Sequence, residues 1–229
     1  MKDAYELFLK EFNIDPKALI EFGIKETISI SEKDIEIEWL NLQERIDGTK
    51  KEPVYVRGSG RDAKTTNLYM DLYKTLFPNG TFLKDSTNNA APKRLLEIYT
   101  NCKRGKEVPK KYEQILNYQV SHIFGRTKNP FAFNAPWNLV YLPKVVDPFT
   151  GHESHGALTM AFSKQFKQHF YDKDKTHIEK FNEIMRKLEP EIVSYVKDVD
   201  SKFSIEYTDT MLQKFKKNVL EEFKPIEVL

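Results

Sequence analysis

Residues 118–156 read YQVSHIFGRTKNPFAFNAPWNLVYLPKVVDPFTGHESHG, and the fold turns on them. The stretch holds three of the chain's five histidines, His122, His152 and His155. Gly125, Asn129, Pro130, Asn134 and Pro136 are loop formers lying between two apolar runs. The first run closes on His122, and the second is Asn138-Leu-Val-Tyr-Leu-Pro143. Both are short and rich in β-branched and aromatic residues. The pattern predicts a strand, a loop, a second strand, and a turn leading into a helix, which is a ββα outline.

Composition narrows the rest. A chain of 229 residues is long enough to bury about 70% of its unfolded surface, in one domain or two closely packed ones. Apolar residues make up 40% and charged residues 31% of it, a balance that predicts a folded chain. No run of about 18 apolar residues exists to span a membrane. The opening MKDAYELFLKEF is charged throughout and lacks the apolar stretch of a signal peptide, so a cytoplasmic protein is expected. The lone cysteine, Cys102, excludes an internal disulfide and a Cys-rich structural zinc site. A ββα unit here must be held by packing. The net charge of +2 leaves nucleic-acid binding to local basic clusters.

Outward from the central stretch, the chain reads as mainly helical. Ala4, Leu7, Phe8 and Phe12 predict a helix over 2–12. Asp15-Pro16 predicts a capped helix to about Phe22, stopped by Gly23. Ser31 with Asp34 is a capping pair before a largely helical 34–46. Val54-Tyr-Val56 reads as a short strand, 64–77 as an amphipathic helix, and Pro92 to about Thr100 as another. Beyond the stretch, helices are predicted over 157–170, over 176–199 with an interruption near Pro190, and over about 208–223.

Two basic segments qualify for contact with DNA. Arg57-Gly-Ser-Gly-Arg61 combines glycines, which let backbone amides approach an anion, with arginines, which bind phosphate or guanine bidentately. Five of the nine residues from 103 to 111 are basic, Lys103 and Arg104 among them. For each segment the plain alternative is a solvated surface loop.

The ββα stretch resembles the HNH, or ββα-metal, nuclease family. The resemblance rests on Ser121-His122-Ile123 ending the first strand, Asn138-Leu139 opening the second, and Asp147 nine residues on. It covers about forty residues. It implies an α+β fold, mainly helical, with a central ββα-metal unit over 112–171. Residues 1–111 would form a mostly helical DNA-contacting region, and 172–229 helices packed on the catalytic unit. The resemblance further implies that His122 is the general base that deprotonates water and that Asn138 holds its imidazole through the side-chain amide. Asp147 would bind the metal, with His152 competing for that role and His155 its expected partner on a helix face. Asp147 is a hard oxygen ligand that suits Mg²⁺, with Mn²⁺ as the alternative. Arg126 and Lys128, in the loop between the strands, would lie beside the scissile strand. Two positions depart from the family. Ser121 stands where a metal-binding Asp or His is usual, and Asp147 where His is usual.

The implied activity is metal-dependent hydrolysis of double-stranded DNA. A sequence-specific type II restriction endonuclease is the leading form, because most of the chain lies outside the ββα unit. Symmetric cutting would favour a homodimer. The alternatives are a less specific homing or phage-defence nuclease, a DNA-binding protein with a degenerate ββα fold, and a helical protein-interaction domain.

Overall fold

The second predicted strand forms, and every residue of it is buried. This computed structural model describes residues 2–58, 63–151 and 154–228. The chain passes through α1 (Ala4–Glu11), α2 (Pro16–Lys25), β1 (Ile28–Ser29), α3 (Glu32–Ile46), β2 (Val54–Val56) and α4 (Ala63–Leu76). It continues through β3 (Phe82–Lys84), α5 (Ala90–Thr100), β4 (Cys102–Arg104), β5 (Glu113–Ile115) and β6 (Tyr118–His122). The one-turn helix α6 (Pro130–Phe133) precedes β7 (Leu139–Pro143), and α7 (Ala157–Lys173), α8 (Lys175–Phe203) and α9 (Asp209–Glu222) complete the chain. Short 3-10 turns, Pro136–Asn138 and Asp147–Thr150, flank β7. The class is α+β, mainly helical with small sheets. Among the described residues, no helix is long and apolar enough to cross a membrane.

β6 and β7 pair antiparallel, with His122 opposite Leu139 and Tyr118 opposite Pro143. β1 adds to the other edge of β7, giving the order β1-β7-β6. The pairs β2–β3 and β4–β5 are parallel. The strands β1, β3, β4 and β5 carry no usable sequence signal, because two or three residues are too few to display a period of two. The basic segment expected as a loop from residue 103 therefore begins inside a strand.

Alternation along β7 sends its side chains into two cores. Leu139 and Tyr141 enter a cluster with Trp39, Trp137 and Phe181. Val140 and Leu142 enter another with Ile20, Phe149, Phe162, Phe166 and Phe170. All four β7 side chains are 0% exposed. The three sequence regions interlock around this strand. β1 comes from the first, and α3 brings Trp39 to within 5.6 Å of the Trp137 ring. α8 brings Phe181 to within 5.4 Å of the same ring from the other end of the chain.

The predicted caps form. Asp15 accepts from the Lys17 amide at 3.0 Å, and Ser31 accepts from the Asp34 amide at 3.3 Å. Two predicted helix ends do not. Gly23 lies inside α2, where its missing Cβ makes room for Phe162 of α7. α8 runs unbroken through Pro190. Met185, Ile192, Tyr195 and Val199 on either side of the proline are buried, and this stripe outweighs the roughly 3 kcal/mol that an internal proline costs.

Gly23 sets up a test of packing against propensity. An added Cβ would sit 2.7 Å from two ring carbons of Phe162. Alanine gains about 0.5–1 kcal/mol in a helix interior, whereas overpacking a core costs about 1–3 kcal/mol. Gly23→Ala is expected to lower the urea midpoint. A higher midpoint would show that the Phe162 ring yields at little cost.

Candidate functional site

His122 is the last residue of β6 and is 7% exposed. Its Nε2 lies 3.0 Å from the backbone oxygen of Phe133. A carbonyl can only accept, so Nε2 carries the proton and donates it. In the neutral ring the basic lone pair is then on Nδ1. The Phe133 ring stacks on the imidazole at 5.3 Å with planes 13° apart. Its carbonyl is available because Phe133 ends a one-turn helix, where carbonyls lack an intrahelical partner.

Asn138 is fully buried at the start of the second strand. Its Oδ1 accepts from the Phe124 amide at 2.9 Å. Its Nδ2 donates to Gly125 O at 3.1 Å and Ala132 O at 2.9 Å. Both amide hydrogens are spent on the loop. The expectation that this side chain holds the imidazole is therefore corrected: it closes the loop that presents the Phe133 carbonyl, and that carbonyl holds the ring. The sequence reading missed Phe133 because a backbone acceptor has no residue signature.

The rest of the loop is tied down as heavily. Asn129 caps α6 through the Phe131 amide at 3.0 Å and donates to Glu222 O at 3.1 Å. Asn134 donates to Tyr55 O at 2.7 Å. Structural roles were expected for both. Lys128 turns inward, donating from Nζ to the carbonyls of Arg57 and Gly58, while its backbone amide donates to the Glu222 carboxylate at 2.8 Å. Burial, followed by the Arg57 charge, pushes the Lys128 ammonium down to about 8. Arg126 donates to Glu221 at 2.9 Å. The Glu221 carboxyl is held down to about 2 by Lys224 first and Arg126 second.

Most of the expected DNA contacts are thus engaged within the fold. Lys128 joins two loops and Arg126 pairs with α9. Lys103 pairs with Glu97 at 3.5 Å and sits 5.2 Å from the Tyr112 ring centre. Arg104 donates to Tyr118 O at 3.0 Å, fastening β4 to β6. Each finds an acceptor in the fold that its local sequence does not reveal. Arg57 is half-buried beside Lys128 and Glu222. Arg61 lies outside the described residues.

Asp147 opens the 3-10 turn after β7, and its carbonyl accepts from the Thr150 hydroxyl at 2.8 Å. The helix predicted from residue 157 begins there, at Ala157. His155 precedes that helix and is exposed, so the helical spacing proposed for His152 and His155 does not apply. His152 lies outside the described residues. Among the described residues, no three His, Cys, Asp or Glu side chains cluster as a metal site.

Two concavities border this region. The larger, about 670 Å³, lies between α3, β2 and α5. Its two buried carboxylates are engaged within the fold: Glu38 is joined to Arg45 and to the Tyr99 hydroxyl, and Asp85 accepts from the Thr87, Ala90 and Ala91 amides. The other, about 550 Å³, runs along the start of α7 past His155, Lys164 and Lys167. The sequence reading assigned no role to these two lysines, although their three-residue spacing on a predicted helix places them on one face.

Comparison with known proteins bears on this region. A family model described as "Uncharacterised protein PM1201" matches residues 30–228. The Pasteurella multocida (strain Pm70) protein of that description is 40% identical over 195 residues, covering 85% of this chain and 84% of that protein. No solved structure matches. The family span holds the whole hairpin, its loop and α3 to α9, while α1 and α2 precede it.

Replacing Asn138 by alanine would leave the Phe124 amide and the Gly125 and Ala132 carbonyls without their partner. One buried unsatisfied group costs about 1–3 kcal/mol. Asn138→Ala is expected to lose at least about 2 kcal/mol in chemical denaturation, most of it absent in a variant whose loop has already been disordered. A loss below about 0.5 kcal/mol would mean that the loop keeps its shape without this side chain.

Proposed function

This chain belongs to the PM1201 family, and we propose that it is a metal-dependent DNA endonuclease in which His122 is the general base. The observation that carries this reading is the fixed imidazole. His122 ends the first strand of an antiparallel hairpin, and a backbone carbonyl holds its Nε2 proton. A neutral histidine with a set tautomer suits proton abstraction near neutral pH. The loop that sets the tautomer is rigid because Asn138, Asn129, Asn134 and Lys128 each bind backbone groups in or beside it. The order of hairpin and following helix agrees with the resemblance to ββα-metal nucleases.

In the proposed step, the His122 imidazole takes a proton from water as the water oxygen bonds to phosphorus. The bond from phosphorus to one bridging oxygen breaks, that oxygen leaves as an alcohol after gaining a proton from solvent, and the imidazolium gives its proton back to solvent. Asn138 and Phe133 take no part in proton transfer; they keep the ring aimed. Mg²⁺ commonly binds through one or two carboxylates, with water and substrate phosphate completing its shell, and Asp147 meets the carboxylate part. A bound Mg²⁺, or Mn²⁺ in its place, would offset charge on the phosphate and the leaving oxygen.

The finer part of the proposal is sequence-specific cutting of double-stranded DNA, in the manner of a type II restriction endonuclease and with a homodimer on a symmetric site. A non-catalytic DNA-binding protein is the second reading. It is favoured by Ser121 at a usual ligand position and by the lack of a three-ligand cluster among the described residues.

The test is incubation of several unrelated plasmid and phage DNAs with Mg²⁺ or Mn²⁺, against EDTA controls. Discrete metal-dependent fragments are expected, and His122→Ala is expected to slow cutting by about 10²–10⁴-fold. Smeared products would retain the nuclease and remove the restriction assignment. Intact complex genomes together with metal-independent DNA binding would establish the non-catalytic reading instead.

A further inference from the structure

The groove along the start of α7 carries cations that the fold does not neutralise. Lys164 and Lys167 stand three residues apart on one face of that helix, and both line the groove with His155. Among the described residues, no hydrogen bond or ion pair joins either ammonium group to another residue. Lys167 is half-buried, and its ammonium is pushed down by burial first and by the Arg126 charge second. Holding Lys167 half out of water within reach of the Arg126 charge is unfavourable unless an anion joins them. For some cations elsewhere the chain meets this need internally: Lys103 has Glu97, Arg126 has Glu221, and Lys216 has Asp200. At Lys164 and Lys167 it does not.

The groove is also built rather than incidental. Ser163 donates to Thr150 O at 3.3 Å, which ties α7 to the turn that Asp147 opens. Ser154 donates to Pro148 O and lies 2.7 Å from the Thr159 hydroxyl, which fixes the segment leading into the helix. The N-cap residue of this 17-residue helix is Gly156, which offers no side chain to cap its first turn. Among the described lining residues the one carboxylate is the exposed Glu227, and the Asp3 carboxylate approaches the lining residue Gly156. Glu227 is opposed by two lysines.

We propose that this groove binds backbone phosphates of DNA, with Lys164 and Lys167 as the gripping residues. The proposal rests on the nuclease reading and extends it. The residues that sequence analysis assigned to phosphate contact are largely engaged within the fold, and a different surface, on the helix after the hairpin, takes that role. These two lysines differ from Lys103, Lys128 and Arg126 in having no acceptor of their own.

The measurement is affinity for a fluorescent duplex of mixed sequence, in EDTA so that the DNA stays intact, across a series of salt concentrations. Wild type, K164Q/K167Q and K164R/K167R are compared as full-length chains whose fold is checked by circular dichroism and melting. Each lost phosphate contact should reduce the slope of log affinity against log salt by about 1. The glutamine pair is expected to lose about 2 from that slope and roughly tenfold or more in affinity at moderate salt, while the arginine pair keeps both. An unchanged slope in the glutamine pair, with wild type still cutting DNA in a His122-dependent way, would overturn the groove and leave the nuclease. Wild type that neither binds nor cuts any DNA would overturn both.

Discussion

Burial of β7 on both faces is the constraint from which the rest of the molecule follows. Its four consecutive apolar side chains, Leu139 to Leu142, are each fully enclosed. Burying a side chain of this size is worth about 1.5–3 kcal/mol, so the strand contributes on the scale of a whole domain's net stability, about 5–15 kcal/mol. A slip of one residue would exchange the two faces. Tyr141, whose hydroxyl reaches Cys102 O at 3.4 Å, would then face the phenylalanine-rich core of α7. The register is held at both ends, by Ile123 donating to Asn138 O at 2.9 Å and by Lys144 donating to Asn117 O at 2.8 Å. Because β6 can pair only with a strand so fixed, the position of His122 is inherited from the packing of β7.

A second layer of order comes from side-chain amides. Asn129, Asn134 and Asn138 each bind backbone groups that a turn-rich loop leaves unpaired. Loops normally avoid burial because their polar backbone cannot be satisfied there. Three buried asparagines remove that obstacle. No Cys-rich zinc site stands in for them, since the chain has a single cysteine. Packing on β1, α3 and α8 does the work that a structural metal would otherwise do. The consequence for chemistry is preorganisation. A base whose tautomer is set by a rigid carbonyl loses little entropy when a reaction uses it.

Charge follows the same rule of satisfaction. Arg104, Arg126 and Lys128 lie next to carbonyls or carboxylates supplied by distant segments and are used to bind those segments together. Glu222, held mostly out of water, is pushed up by that burial, against the pull of the Lys128 amide and of the charges on Arg126, Lys128 and Arg57. Basic residues that look alike along the chain thus separate into those with an internal acceptor and those without.

Local patterns by themselves determined much of this protein. The caps at Asp15 and Ser31 and the helices with strong apolar periodicity rest on interactions within a few residues, and the hairpin's strands and loop show as local β-rich runs and turn formers, so all are visible in the residues that make them. The candidate pair His122 and Asn138 was visible too, from its place at facing strand ends. Tertiary structure alone decided the rest. Gly23 continues its helix because Phe162 of α7 occupies the space of a side chain, and Pro190 is carried through α8 by buried residues on either side. The short strands β1, β3, β4 and β5 exist because partners far along the chain meet them. The His122 proton is held by Phe133, and Asn138 reaches the loop rather than the ring, because hydrogen bonds follow distance in space. Which cations are spent inside the fold is a matter of what each side chain meets after folding, and no window of sequence contains that information.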